Sequence, residues 1–201
     1  SKNKEGQWDI ARRARATMVE ANDMVDFMKF AAAFDPAAPA SLDDAVNFFG
    51  NLLSGLSPKE LISRTRSLHV GRAKTKASSI EAIALKYLRA PSYRSAADML
   101  DDFHCSTGVF AFRPDIVRLC SKALRTVNET LSFHAAAVRE RERYRHMPRK
   151  MRARSVGSTL LLKGLEADVA LILEPEKMNA ENLYVAMTRG SKQLIICSRS
   201  P

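Results

Sequence analysis

Three short apolar runs without a helical period close the chain, and they constrain its fold most. They are Thr159 with Leu160, Leu161 and Leu162, then residues 169–173 (Val-Ala-Leu-Ile-Leu), then residues 193–197 (Gln-Leu-Ile-Ile-Cys). Runs of this length bounded by turn residues read as buried strands. Lys163, Gly164, Leu165 and Glu166 separate the first two. Residues 179–188 lie between the last two and can form a short helix with Leu183 and Met187 on one face. Strand, turn, strand, helix, strand implies a parallel sheet. Three strands are too few for a layered α/β domain of their own. The rest of the sheet is missing, or the N-terminal helices cover what is here. Cys197, inside the last run, is expected to be a buried small hydrophobe.

The preceding residues read as helices up to about residue 147. Trp8, Ile10, Ala14, Met18, Met24, Phe27, Met28 and Phe30 recur at roughly helical spacing over residues 8–34, and Pro36 and Pro39 break that pattern. Ser41 is expected to cap a second helix, with Asp44 reaching back to the open amides. Ser57, Pro58 and Glu60 form a start signal, and Ser78 with Glu81 a capping box whose helix ends near Ala90, before Pro91. Pro114 opens a helix expected to run through Val127 and on to Tyr144. The expected organisation is α/β: a mostly helical region over residues 1–150, then a parallel-sheet portion over residues 151–201.

Charge narrows the partners. The 201 residues carry a formal net charge of +10, which favours an anionic partner, nucleic acid first. Arg139, Arg141, Arg143, Arg145, Arg149, Lys150, Arg152 and Arg154 face only Glu140 and Glu142, so residues 139–154 alone carry +6. This segment reads as a phosphate contact or a charged linker, against the plainer reading of a solvated helix end. Cys105, Cys120 and Cys197 are odd in number and widely spaced, which suits a reducing cytoplasm of bacterial type. His104 and Cys105 are the one local pairing, with no second ligand pair at zinc spacing, so no metal site is expected. No apolar run reaches the length of about 18 residues that spans a membrane, and no membrane contact is expected.

Two constellations carry chemistry: Lys163, Gly164, Leu165 and Glu166, and the stretch Leu-Tyr-Val-Ala-Met-Thr-Arg-Gly over residues 183–190. Loops at the carboxyl ends of parallel strands are where α/β folds place ligands. A glycine lets backbone approach a ligand closely, a carboxylate accepts from a sugar hydroxyl, and an arginine offers phosphate a planar fork of donors. In order and spacing, "STLLLKGLEADV" and "NLYVAMTRG" resemble motifs V and VI of the UvrD/Rep-type superfamily-one helicases, T-x-H-x-x-K-G-L-E and Y-V-A-x-T-R-A. The resemblance covers residues 157–201 closely. The helical remainder matches only in kind, as a subdomain inserted before motif V.

The resemblance implies the C-terminal portion of a second RecA-like (P-loop NTPase-type) domain of an ATP-dependent DNA helicase, which hydrolyses ATP with Mg²⁺ and moves on single-stranded DNA, or RNA. Glu166 would contact the nucleotide ribose, and Lys163 and Gly164 would shape the loop between nucleotide and strand. Arg189 would be the arginine finger, reaching the γ-phosphate held by the first RecA-like domain of the same parent chain. Tyr184 and Thr188 would order the motif VI helix, although core packing suits Tyr184 better than a ligand contact. Arg149, Lys150, Arg152, Arg154 and Ser158 are the expected nucleic-acid contacts. Leu160 stands at the family's His, Ser158 at its Thr, Ala167 at its aromatic, Ala180 and Glu181 at its double arginine, and Gly190 at its Ala. The nearest P-loop, residues 50–57, has Leu56 where the phosphate-binding lysine belongs. Leu100, Asp101 and Asp102 lack the apolar strand that precedes a Walker B aspartate. Residues 1–201 thus hold half of a nucleotide site and alone are expected not to hydrolyse ATP. The alternative is a non-catalytic module that keeps the fold and binds nucleic acid or a protein.

Overall fold

The elements, in a computed structural model that describes residues 4–147 and 152–198, run as follows. They begin with α1 (Lys4–Arg13), β1 (Thr17–Met18), α2 (Val25–Ala33), α3 (Ser41–Gly50), β2 (Leu53–Ser54), α4 (Pro58–His69) and α5 (Ser79–Arg89). Then come α6 (Tyr93–Cys105), β3 (Phe110–Ala111), α7 (Pro114–Thr126) and α8 (Phe133–Arg145). The remainder is β4 (Ser155–Val156), α9 (Thr159–Leu162), β5 (Ala167–Leu173), α10 (Ala180–Met187) and β6 (Gly190–Cys197). The chain is mixed α/β and divides into two units: Asn22–Pro148, and Ser1–Ala21 joined with Arg149–Pro201. The first 21 residues therefore group with the C-terminal segment and not with the helical region expected over residues 1–150.

The helical unit is built around phenylalanine. Phe30 stacks on Phe48 with ring centroids 4.0 Å apart, and Phe34 and Phe133 meet edge to face at 6.1 Å. Phe27, Phe49 and Phe103 are fully buried, and truncating such a ring to alanine costs about 3–5 kcal/mol. Local signals set the helix ends. Ser78 and Glu81 form the expected capping box, and Ser92 with Ser95 forms a second. Pro58 and Pro114 take first-turn positions, where a missing N–H costs nothing. Two expected caps are corrected. Ser41 is the first residue of α3, behind Ala40 in the cap position, and Ser57 precedes α4 without a side-chain cap bond.

The single helix expected from Pro114 to Tyr144 is two. Asn128 Oδ1 accepts from the amides of Thr130 and Leu131, each at 3.0 Å, and from the Thr130 hydroxyl at 2.8 Å. An asparagine that satisfies its neighbours' amides stabilises a turn against a helix. Ser132 then caps α8 through the Ala135 amide at 3.2 Å.

In the other unit, the helical pattern expected over residues 8–34 gives way to β1, which runs parallel to β4 with Thr17 beside Ser155 and Met18 beside Val156. The helical pattern resumes only in α2, which follows Met24, a residue in the left-handed region at φ 44°. The expected strand at Thr159–Leu162 is α9, a short helix. Three leucines favour a helix over a strand, since none is β-branched. Of the three expected strands, two are present as β5 and β6, parallel, with α10 between them. Cys197 is exposed, contrary to expectation.

One buried ion pair joins distant parts of the helical unit. Arg113, 2 % exposed, meets Asp26 with both ends of its fork, Nη2 to Oδ1 at 3.2 Å and Nη1 to Oδ2. Burial raises the Asp26 carboxyl, but the hydrogen bond and charge of Arg113 outweigh it and hold it below its ordinary value. Removing one partner of such a pair is costly. Asp26→Asn should destabilise this unit by about 3 kcal/mol at pH 7. The folded-state carboxyl is the depressed one, so the stabilisation exists above about pH 4 and fades as pH falls through the folded value. Denaturant unfolding at pH 7 and pH 3 checks this: the wild type and variant should differ at pH 7 and converge in acid.

Candidate functional site

β5 and β6 pair from Ala167 beside Gly190 to Leu173 beside Cys197, with a one-residue register shift between Ala167 and Val169. Parallel neighbours start at the same end of a sheet, so the segments that lead into them meet. Residues 163–166 lead into β5, and Thr188 and Arg189 lead into β6. The two motifs thus converge at the amino ends of β5 and β6, not at a carboxyl end as expected, because Thr159–Leu162 is helical. The Ala167 amide donates to the Arg189 carbonyl at 3.0 Å.

Arg189 closes this junction with its side chain. Its Nε donates to Val185 O at 3.0 Å, its Nη1 to Leu165 O at 3.2 Å, and its Nη2 to Thr188 Oγ1 at 2.8 Å. The Thr188 hydroxyl donates in turn to Val185 O at 2.9 Å. The half-buried guanidinium therefore holds the last turn of α10 to the loop before β5.

The loop itself is open. Lys163 and Glu166 are exposed. Gly164 has φ +81°, and a Cβ built there would touch nothing within 4 Å. A left-handed turn that ends α9 requires this glycine, and crowding does not. Gly190 is the reverse case. Its added Cβ would lie 2.4 Å from Gln193 O and 3.1 Å from Ala170 Cβ.

Of the expected nucleic-acid contacts, Arg152, Arg154 and Ser158 are among the described residues. Arg149 and Lys150 lie outside the described residues. Arg152 is exposed, and Arg154 Nη1 donates to Ala14 O at 3.2 Å. Ser158 occupies the cap position of α9 without a side-chain cap bond. The earlier cations of that segment lie on α8, in the helical unit. Arg141 and Arg145 pair with Glu142 at 2.8 and 3.1 Å, and Arg143 with the buried Glu140 at 2.6 Å.

A basic loop was missed in the sequence. It follows α4, beside an open groove of about 670 Å³ between α4 and α5 in which Lys59 and Arg64 are balanced by Glu60 and Glu81. Arg64 donates to the Thr75 carbonyl at 2.9 Å and to its hydroxyl, and so fixes the loop that carries exposed Arg72, Lys74 and Lys76. Three cations at alternate positions with no acid between them were the available signal.

Among the described residues no three His, Cys, Asp or Glu side chains gather to hold a metal ion, and no helix is long and apolar enough to cross a membrane. Tyr184 is 71 % exposed and is not a core residue, and Leu160, at the family's histidine position, is 76 % exposed. No protein-family model, curated protein sequence or solved structure matches the chain.

The alanine of the motif VI pattern does not fit at Gly190. Gly190→Ala should destabilise the β5–β6 unit by about 1–3 kcal/mol, the usual cost of overpacking. Amide exchange across residues 190–197 measures it. Unchanged protection would mean that the Gln193 carbonyl moves aside freely.

Proposed function

We propose that the chain is the C-terminal part of a UvrD-like ATP-dependent DNA helicase. It supplies the motif V and VI half of an ATP site at the edge of a second RecA-like domain, and part of the surface that couples that site to single-stranded DNA. The observation that carries this reading is the Arg189 junction, where two motifs 24 residues apart meet through one guanidinium. Both faces of a parallel sheet are normally covered. Val169, Leu171 and Ile195 share one face of β5–β6 and are exposed by 49, 56 and 38 %, which suits a sheet that continues into further strands and helices of a RecA-like domain.

The residues present fit half of a nucleotide. Glu166 offers acceptors to ribose hydroxyls, Lys163 offers a cation to phosphate, and Arg189 offers a planar fork. ATP, when bound, supplies the phosphoryl group that water takes up. Arg189 would stabilise the charge that builds on that group, and the loop of residues 163–166 would orient the nucleotide. Among the described residues no carboxylate cluster suits Mg²⁺; its ligands and the P-loop would come from the first RecA-like domain of the parent. Arg152 and Arg154, with Arg149, Lys150 and Ser158, would meet the strand's phosphates.

Residues 1–201 alone should release no phosphate from ATP, with or without single-stranded DNA. In the parent, Arg189→Ala should lower kcat by about 10³, the scale of an arginine finger. Near-normal kcat in a folded variant would favour the non-catalytic module instead.

The chain should bind single-stranded DNA weakly, with an affinity that falls steeply as salt rises. Titration of a labelled oligonucleotide at two salt concentrations tests the contact. Affinity unchanged after Arg149, Lys150, Arg152 and Arg154 are replaced by alanine would move the contact elsewhere, with Lys59, Arg72, Lys74 and Lys76 next to be tested.

A further inference from the structure

The Arg189 guanidinium has two uses that compete. Its donors are engaged by Val185 O, Thr188 Oγ1 and Leu165 O. Two of these bonds stay within its own turn, to residues one and four positions back, and travel with it. The third reaches 24 residues away to the loop before β5 and is the longest, at 3.2 Å. A phosphate oxygen binds a guanidinium about twice as strongly as a neutral carbonyl does. The Leu165 bond is therefore the one an anionic ligand displaces.

We infer that Arg189 is a two-position clasp. Without ligand, Nη1 ties the loop of residues 163–166 to α10. With a phosphate-bearing ligand, Nη1 leaves Leu165 O and the loop is released. The second position rests on the proposed nucleotide reading; the tie does not. Thr188 is the positioning residue. Its hydroxyl is fixed by its own bond to Val185 O, so its lone pair faces Nη2. It keeps the guanidinium plane oriented on α10 while Nη1 exchanges Leu165 O for the ligand's oxygen and the loop moves off. The exchange is reciprocal: whatever the loop tie contributes to the free state is subtracted from ligand affinity, and ligand binding loosens the loop by the same factor.

Hydrogen exchange on the 201-residue chain tests the tie without any nucleotide. The Leu165 amide bonds to Leu162 O and the Ala167 amide to Arg189 O, both at 3.0 Å, so both report on the junction. Arg189→Lys cannot reproduce the fork and should make amides 165–167 exchange about tenfold faster, with residues 169–172 unchanged. Wild-type protection at 165–167 would overturn the tie. If Arg189→Lys unfolds the unit, Thr188→Val decides, because it removes only the hydroxyl. It should loosen the same amides, and Thr188→Ser should restore them. In the parent, a non-hydrolysable ATP analogue should speed exchange at 165–167. Thr188→Val should lower kcat about tenfold with KM unchanged, and Thr188→Ser should not. Equal or slower exchange with the analogue bound overturns the second position. A parent that binds no nucleotide sinks the second position together with the helicase reading, and the chain-alone exchange still judges the tie.

Discussion

The pairing of Ala167 with Gly190 is the constraint on which the candidate site depends. Parallel strands cannot be joined by a tight turn, so the chain must leave β5 at its far end, cross over through α10 and return to the near end of β6. That crossover brings residues 163–166 and Arg189 to one edge although they are distant in sequence. Shifting β6 by one residue would turn its side chains to the opposite face. Arg189 would then no longer aim at Leu165 O. The register and the guanidinium bonds thus specify the same geometry.

Gly164 and Gly190 both serve this junction, for opposite reasons. Gly164 stands in open space and supplies a positive φ. Gly190 has no special φ and supplies room, since the Gln193 carbonyl of its own strand and Ala170 of β5 both come close there. From sequence alone the two are indistinguishable. The motif comparison suggests that Gly190 could be alanine, and only the neighbouring carbonyl shows why it is not.

What was legible in the sequence follows which signals are local. Capping boxes are local, and Ser78 with Glu81 was read correctly; so was Pro91 as the stop after Ala90. β5, α10 and β6 were legible because residues 169–173 and 193–197 are rich in branched residues and too short for helices. Thr159–Leu162 was misread because a four-residue apolar run has no period, and leucine favours a helix where valine or isoleucine would not. The break at Asn128 was missed because its cause is a side-chain oxygen that accepts three bonds from its neighbours. β1 was illegible for a different reason. Two residues at 17 and 18 become a strand only because β4, far along the chain, offers them a parallel partner. The candidate site residues came from motif order, and the bonds that make Arg189 a tie were visible only in three dimensions.

The two units differ in how their apolar surface is used. The helical unit buries a continuous aromatic cluster and satisfies its interior charges, as at Arg113 with Asp26 and Glu140 with Lys122. In the β5–β6 unit, Ile172 is buried at 3 % while Leu171 and Leu173, one position away on either side, are 56 and 37 % exposed. Along β5 the Ile172 side is covered and the other is open, while on β6 Ile196, the partner of Ile172, is 49 % exposed, so even the covered side is covered only in part. A two-stranded ribbon is marginal in water without further strands or a covering layer. Internal bonds of the Arg189 type therefore matter more here than in the helical unit. They let the junction hold its shape before any ligand arrives, with the guanidinium's charge already matched to carbonyl oxygens. Such pre-assembly lowers the ordering cost of binding, while the same bonds must be given up when a stronger acceptor takes their place. The strength of the Leu165 tie therefore sets both the stability of the empty junction and the affinity of whatever displaces it.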